Sequence, residues 1–426
     1  MIRIRNIIIY ALTTALCLSG CSTILEHKNV TGFLSDEKLN NVNYSVVTQS
    51  MLFSTQYAVT PDGCYEVLEC SDGTGNVLYT DFDSKSKHFL SADITSEHNN
   101  ESDASWLNSV FGGTSIFVAG EKLYVLKRGK NKEDSSDKYR TYFTQMNFNG
   151  SEHKKLYIPA NIVIDEGSVI VFDEKNFYFI GTEYDNSKEK VIGTRKLFSL
   201  DTVTGNIDTA MAMQKNNYTT LVGAYNDKFI FQIMKKDINS NVPIVEIVQT
   251  TIENNNIVIY QKNSPNESVI MSDYEMFAFN LENTILTIKN LKTGETSNTL
   301  ITISNSDTEQ CIVTLVGDFY NRHLLFNVED LKNKTNDKYA FQVDGKTLQK
   351  LTLYNNEMFV GIYAETEKEF LVITEEYQVT YPALSPDQVT YFDENRYVYR
   401  LALIDKEDYF NNIPNYQFIN DMVEYR

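Results

Sequence analysis

From Tyr44 onward, short runs of β-branched and aromatic residues alternate with clusters of Gly, Asn, Asp and Ser. Gly-Ser-Val-Ile-Val-Phe at 167–172, Asn-Phe-Tyr-Phe-Ile at 176–180 and Lys-Phe-Ile-Phe-Gln-Ile at 228–233 are typical, and runs of this length and content bounded by turn formers read as strands. No long stretch keeps a helical period of apolar positions, so the pattern predicts an all-β domain.

The turns after these strands repeat one plan. Leu78 to Leu90, Gln145 to Leu156, Leu197 to Gly205, Ile288 to Gly294 and Phe341 to Leu351 each carry an apolar strand, an Asp/Asn-to-Gly or Lys turn, and a strand opening on polar residues. Such a turn needs local side-chain hydrogen bonds and a left-handed residue, which Asp, Asn and Gly supply. The turns centre near Lys85, Gly150, Gly205, Gly294 and Gly345, with room for a sixth near Asn254. A spacing of about 40 to 65 residues is that of four-stranded propeller blades with variable loops. The stretch from Tyr44 to Asp405 holds six to eight such units, and seven is the predicted number, with 359–403 as the last. Strands from the two ends of the chain are expected to share a blade, because closing the ring removes free sheet edges. After Ile404, Asp405 is a helix-capping type of residue and Pro414 a breaker, which predicts a short closing helix or coil. Aromatic residues make up 12% of the chain, nearly all Tyr and Phe, and sheet stacking between blades accounts for them without a ligand.

Ahead of the blades lies a different texture. Residues 1–6 carry Arg3 and Arg5, 7–17 are apolar, and Leu-Ser-Gly-Cys follows at 18–21. A charged start, a short apolar core and a small-residue cut site predict a secretory signal over 1–20, too short for a stable membrane span. The last four residues resemble the lipobox of bacterial lipoproteins, which implies that Cys21 is acylated and becomes the new N-terminus. Residues 22–43 are polar and turn-rich, as suits a tether. The expected location is the extracytoplasmic face of a membrane, with lipid as the anchor.

The formal charge is −19, and loss of Arg3 and Arg5 with the leader makes it −21, with 57 acidic residues against 36 basic ones. The charge therefore argues against nucleic acid and anionic lipid as partners. A solvated surface that keeps a monomer soluble is the plain reading of that charge. Of five cysteines, Cys17 leaves with the leader and Cys21 carries lipid, so Cys64, Cys70 and Cys311 remain. Cys64 and Cys70 lie on one predicted strand, about 20 Å apart at ~3.3 Å per residue, which is beyond disulfide reach. Cys311 pairing with either stays open; a buried small hydrophobe is the simpler expectation for all three.

Three segments carry a wider resemblance. Asn-Val-Leu-Tyr-Thr-Asp-Phe-Asp-Ser-Lys at 76–85, Tyr-Phe-Thr-Gln-Met-Asn-Phe-Asn-Gly-Ser at 142–151 and 403–416 are similar to clostridial-type β-propeller lipoproteins of uncharacterised function. The resemblance implies fold and address, not a reaction. In many of those proteins the segment after the first hairpin carries cysteines and a histidine; here, over 90–98, serines stand at the cysteine positions and only His98 matches.

No nucleotide-binding glycine loop, nucleophile elbow or zinc-binding helix is present, and Asp344-Gly-Lys-Thr347 lacks the upstream glycine of a phosphate loop. Of the histidines, His27 lies in the tether, while His88 and His153 sit at equivalent exposed places beside blade turns. The loop at 93–106 gathers Asp93, Glu97, His98, Glu101 and Asp103 with the only tryptophan, Trp106. Carboxylates with one imidazole suit Ca²⁺ or Mn²⁺, and a lone Trp suits sugar stacking or a partner contact. A solvated connection is the plainer reading, with Trp106 opening the next strand; no metal and no cofactor is assigned. The mixed-charge stretch 127–138 reads as a surface loop, and Thr60-Pro-Asp-Gly63 and Ser385-Pro-Asp387 as turns. The expected function is non-catalytic binding of a protein, peptide or glycan, in a scaffold or transport-accessory role. The alternative is a glycan hydrolase or lyase using carboxylates at the channel mouth, whose pair is defined in space and not along the chain.

Overall fold

Seven four-stranded antiparallel blades follow one another along the chain in the computed structural model, at 57–89, 114–157, 162–212, 217–261, 268–300, 311–351 and 361–418. The structure describes residues 43–48, 57–70, 72–91, 96–129, 139–185, 192–237, 242–253, 255–264, 267–302, 311–384 and 391–423. The leader, Cys21, the tether up to residue 42, Asp93, Asn254 and the Ser385-Pro-Asp387 turn lie outside them. The fold is an all-β, seven-bladed propeller, as the spacing of turns predicts.

The inner strands of the blades bury both faces, because a blade is packed on both sides. On Asn176–Asp185, Phe177 and Phe179 point to the second blade, while Tyr178 and Ile180 point to the fourth. Seven apolar clusters result, one at each seam; the last joins Leu371, Leu401 and Leu403 of the seventh blade to Cys64 and Tyr57 of the first. The predicted turns form as expected at Lys85, Gly150, Gly205 and Gly294, each with positive φ. In the sixth blade the left-handed residue is Lys346, one position past Gly345. Local caps hold them: the Asp201 carboxylate accepts from the N–H groups of Val203 and Thr204 at 2.9 and 2.7 Å. The Thr204 N–H, with Lys175, brings the Asp201 carboxyl down to about 2.

Turns joining strands one to two and three to four lie on one face of the ring, the turn face. Turns joining strands two to three, and the links between blades, lie on the opposite face, the loop face. The described chain enters at the turn face. Ser45–Val46 pairs with Phe172 and Val171 on the axis side of the third blade, and the Tyr44 N–H donates to Asn226 O at 2.7 Å in a turn of the fourth. The Tyr44 ring stacks on Phe229 at 4.4 Å and meets Tyr178 edge-on at 5.4 Å; burial, with Asp173 nearby, pushes its hydroxyl up to about 12.

The ends do share a blade, with a correction to where the last blade stops. It runs to Phe418, not to 403: the short helix Lys406–Phe410 lies between its third strand, Tyr391–Asp405, and its fourth, Gln417–Phe418. Asp405 caps that helix through the amides of Glu407 and Asp408, and Tyr409 and Phe410 enter the seam with the sixth blade. Asn420–Asp421 then adds in parallel to the outer strand Ser86–Phe89 of the first blade, closing the ring.

Among the described residues, Cys64, Cys70 and Cys311 form no disulfide. Cys64 is buried as expected, whereas Cys70 and Cys311 are only partly so. The burial expectation holds for one of the three.

Candidate functional site

The loop at 96–113 links the first and second blades on the loop face, and its residues are spent on its own shape. Asp103, with 1% of its side chain exposed, accepts from the Ser105 amide at 2.8 Å and lies 2.6 Å from the Ser105 hydroxyl; its other oxygen lies 2.9 Å from His98 Nδ1. Burial raises the Asp103 carboxyl, but the hydrogen bonds from Ser105, Ser96 and Ser91 outweigh it and hold it below the usual range. His98 adopts a left-handed backbone, with φ of 51°, and its ring stacks on Phe89 at 4.1 Å.

Ser105, His98 and Asp103 contain the residue types of a hydrolytic triad without its geometry. In a working triad the acid holds one ring nitrogen and the serine faces the other. Here the Ser105 hydroxyl is 3.5 Å from His98 Nδ1, the same nitrogen that Asp103 occupies, and Ser105 is fully buried. The hydroxyl also lies 2.9 Å from Asn76 Oδ1, so its one proton is shared between structural acceptors.

The remaining predicted site residues do not converge on this pair. Glu97 accepts from the Asn99 side chain at 2.9 Å in solvent, and Glu101 is exposed. Trp106 opens the two-residue strand Trp106–Leu107, paired to Asn76 and Gly75. It is half-buried, with its indole N–H buried and unpartnered among the described residues. No group of three His, Cys, Asp or Glu side chains placed to hold a metal occurs among the described residues. His153 is exposed as expected, reaching Ala104 O at 3.1 Å, whereas His88 is half-buried and His323 is buried against Phe410.

The sequence reading missed a projecting hairpin. Strands two and three of the seventh blade, Glu369–Leu384 and Tyr391–Asp405, are 16 and 15 residues long, and the blade's first and fourth strands cover only their lower ends. A bulge at Thr374 marks where blade ends and arm begins. From Glu375 to Leu384 the arm rises about 30 Å at ~3.3 Å per residue. One of its faces carries Glu376, Gln378, Thr380, Asn395, Tyr397 and Tyr399, all exposed, with Tyr397 at 66%. The signal in the sequence was the pair of long β-compatible runs flanking Ser385-Pro-Asp387, 16 and 15 residues against at most 10 for any other strand.

At the root of the arm a cavity of 260 Å³ is lined by Lys87, Tyr377, Tyr399, Arg400 and the closing residues Ile419 to Asp421. Lys87 is buried and bonds Glu66 at 2.5 Å, and Tyr363 reaches the same carboxylate at 3.4 Å. Burial lowers the Lys87 ammonium, and the Glu66 charge and hydrogen bond more than reverse it, so it stands above the ordinary lysine range. The neighbouring Cys64 thiol is pushed well up by burial and by Glu66.

No protein-family model matches the chain, and no curated protein matches it. Among solved structures it is similar to an oligogalacturonate lyase in complex with manganese, at 10% identity over 68% of this chain and 72% of that one, TM-score 0.39. It is similar to the acylaminoacyl peptidase of Pyrococcus horikoshii at 9% identity over 89% of this chain, TM-score 0.49, spanning only 52% of that enzyme's length. The propeller domain of the Trilobed protease from Pyrococcus furiosus is similar at 9% identity, covering 88% of this chain and 98% of that one, TM-score 0.46. Likeness at this level bears on fold alone, and the fold stands on the seven sheets themselves.

Proposed function

We propose that this chain is an extracytoplasmic lipoprotein, anchored by acyl chains on Cys21, whose propeller is a non-catalytic platform for a protein or peptide partner. The observation that supports the platform is the arm: a two-stranded projection with a polar and tyrosine-rich exposed face, which packing of the ring does not need. Exposed tyrosines supply large contact area at low entropic cost, and binding surfaces are enriched in them. The one acid–base constellation in the candidate loop is committed to holding that loop.

The experiment is in-cell crosslinking of the tagged full-length protein followed by mass spectrometry, with Cys21→Ala as control. A stoichiometric envelope partner that depends on the anchor supports the platform. Turnover of a glycan or peptide by the purified protein, abolished by one acid substitution, would overturn it in favour of the hydrolase or lyase reading.

A further inference from the structure

We infer that the free edge of the arm's second strand, over Asp393 to Tyr399, accepts an extended Lys- or Arg-bearing segment of another protein as an added β-strand. This rests on the platform reading and names its site and partner chemistry.

The edge is defined by backbone geometry. Ile419 N–H donates to Leu401 O at 2.9 Å, so Leu401 directs its carbonyl toward the outer side of Tyr391–Asp405. Alternation along the strand then sends the peptide groups of Tyr399, Tyr397, Asn395 and Asp393 the same way. The outer strand Gln417–Phe418 covers only Leu403 and Ala402, and the chain then leaves for the first blade. Above Leu401 no described strand pairs with that edge. An open row of N–H and C=O groups is a template for strand addition.

The arm's two edges differ. By register, the outward residues of Glu369–Leu384 are Glu376, Gln378, Thr380 and Pro382, opposite Tyr399, Tyr397, Asn395 and Asp393. Pro382 has no N–H, which interrupts that edge as prolines do on protected edge strands. Nothing comparable interrupts Asp393 to Tyr399, where no proline or glycine occurs.

Charge selects the occupant. The described charged groups on the exposed face are Glu376 and Asp393, both acidic; Arg400 points elsewhere and is paired with Glu375 at 2.8 Å. Tyr397 and Tyr399 offer ring faces to an incoming ammonium or guanidinium. A second copy of this chain, carrying −19 and the same acidic face, repels instead.

The test uses the full-length protein in detergent and three labelled peptides read by fluorescence anisotropy: (Lys-Val)4, (Glu-Val)4, and (Lys-Val)4 with alternate backbone amides N-methylated. The unmethylated basic peptide should bind, and the acidic and methylated ones should bind at least tenfold more weakly. Asp393→Lys/Glu376→Lys and Tyr397→Ala/Tyr399→Ala should each weaken (Lys-Val)4 by about tenfold. Equal binding of the methylated peptide, on the unaltered protein, overturns strand addition whether or not any variant folds. Absence of (Lys-Val)4 binding overturns it too, as does a dimer by sedimentation that Asp393→Lys dissolves. A chain with 376–399 replaced by Asn-Gly that still crosslinks its envelope partner in cells overturns the arm as the site while the platform reading stands.

Discussion

Asp103 is the residue on which the candidate loop turns. Asp103→Ala removes the acceptor for the buried Ser105 amide and for His98, and unmade bonds of buried groups cost about 1–3 kcal/mol. We expect a loss of about 2 kcal/mol in urea unfolding, with partner crosslinking unchanged. Its carboxyl is lower folded than unfolded, so its contribution is present above about pH 4 and fades as pH falls through the folded value. Unfolding curves at pH 6 and pH 3 should therefore differ more for the parent than for Asp103→Ala. The sequence showed which titratable groups this loop holds, but not that Asp103 points inward while Glu97 and Glu101 point out. That depends on the turn geometry around the left-handed His98, which composition does not encode.

Blades were legible as elements because each hairpin turn is a local event, set by an Asp or Asn cap and a left-handed residue within a few positions. The turn of the sixth blade slipped by one residue, from Gly345 to Lys346, since both residue types tolerate that conformation in a tight turn. The extent of the last blade was not legible. The helix Lys406–Phe410 looked terminal from its cap and the following Pro414, yet its apolar Tyr409 and Phe410 fill a seam and the chain resumes as a strand. The arm's two long runs were legible, but not that they project: alternation along a strand reports pairing, not whether neighbouring strands extend as far. The closing strand makes its own prediction. Removing 419–426 exposes Leu401 and Leu403 and frees the edge of Ser86–Phe89, so stability should fall by about 3–5 kcal/mol, seen as an earlier urea midpoint. Lys87→Met at the same seam leaves Glu66 buried without its cation and should cost about 3 kcal/mol; Lys87→Met/Glu66→Leu should cost less than Lys87→Met alone.

For the molecule as a whole, the entry of the described chain and the arm lie on opposite faces of the ring. The chain arrives at Tyr44 on the turn face, and the arm leaves from the loop face. Cys21→Ala should abolish incorporation of labelled fatty acid and release the protein from the membrane fraction; retention without lipid would refute the anchor. Several acyl chains are required for lasting attachment, because one alone gives only marginal binding.

Any load carried by such an anchor would reach the ring through Ser45 and Val46, hydrogen-bonded to the third blade, before it reached the first. That two-residue ladder, with the Tyr44 ring stacked against Phe229, is the first contact such a load would test. Pulling on residue 21 in an optical trap should show an early yield at low force, while all seven blades remain intact. Under the proposed anchoring, a tug from a partner would be taken up at this entry and the chain could reseat, without the ring itself being opened.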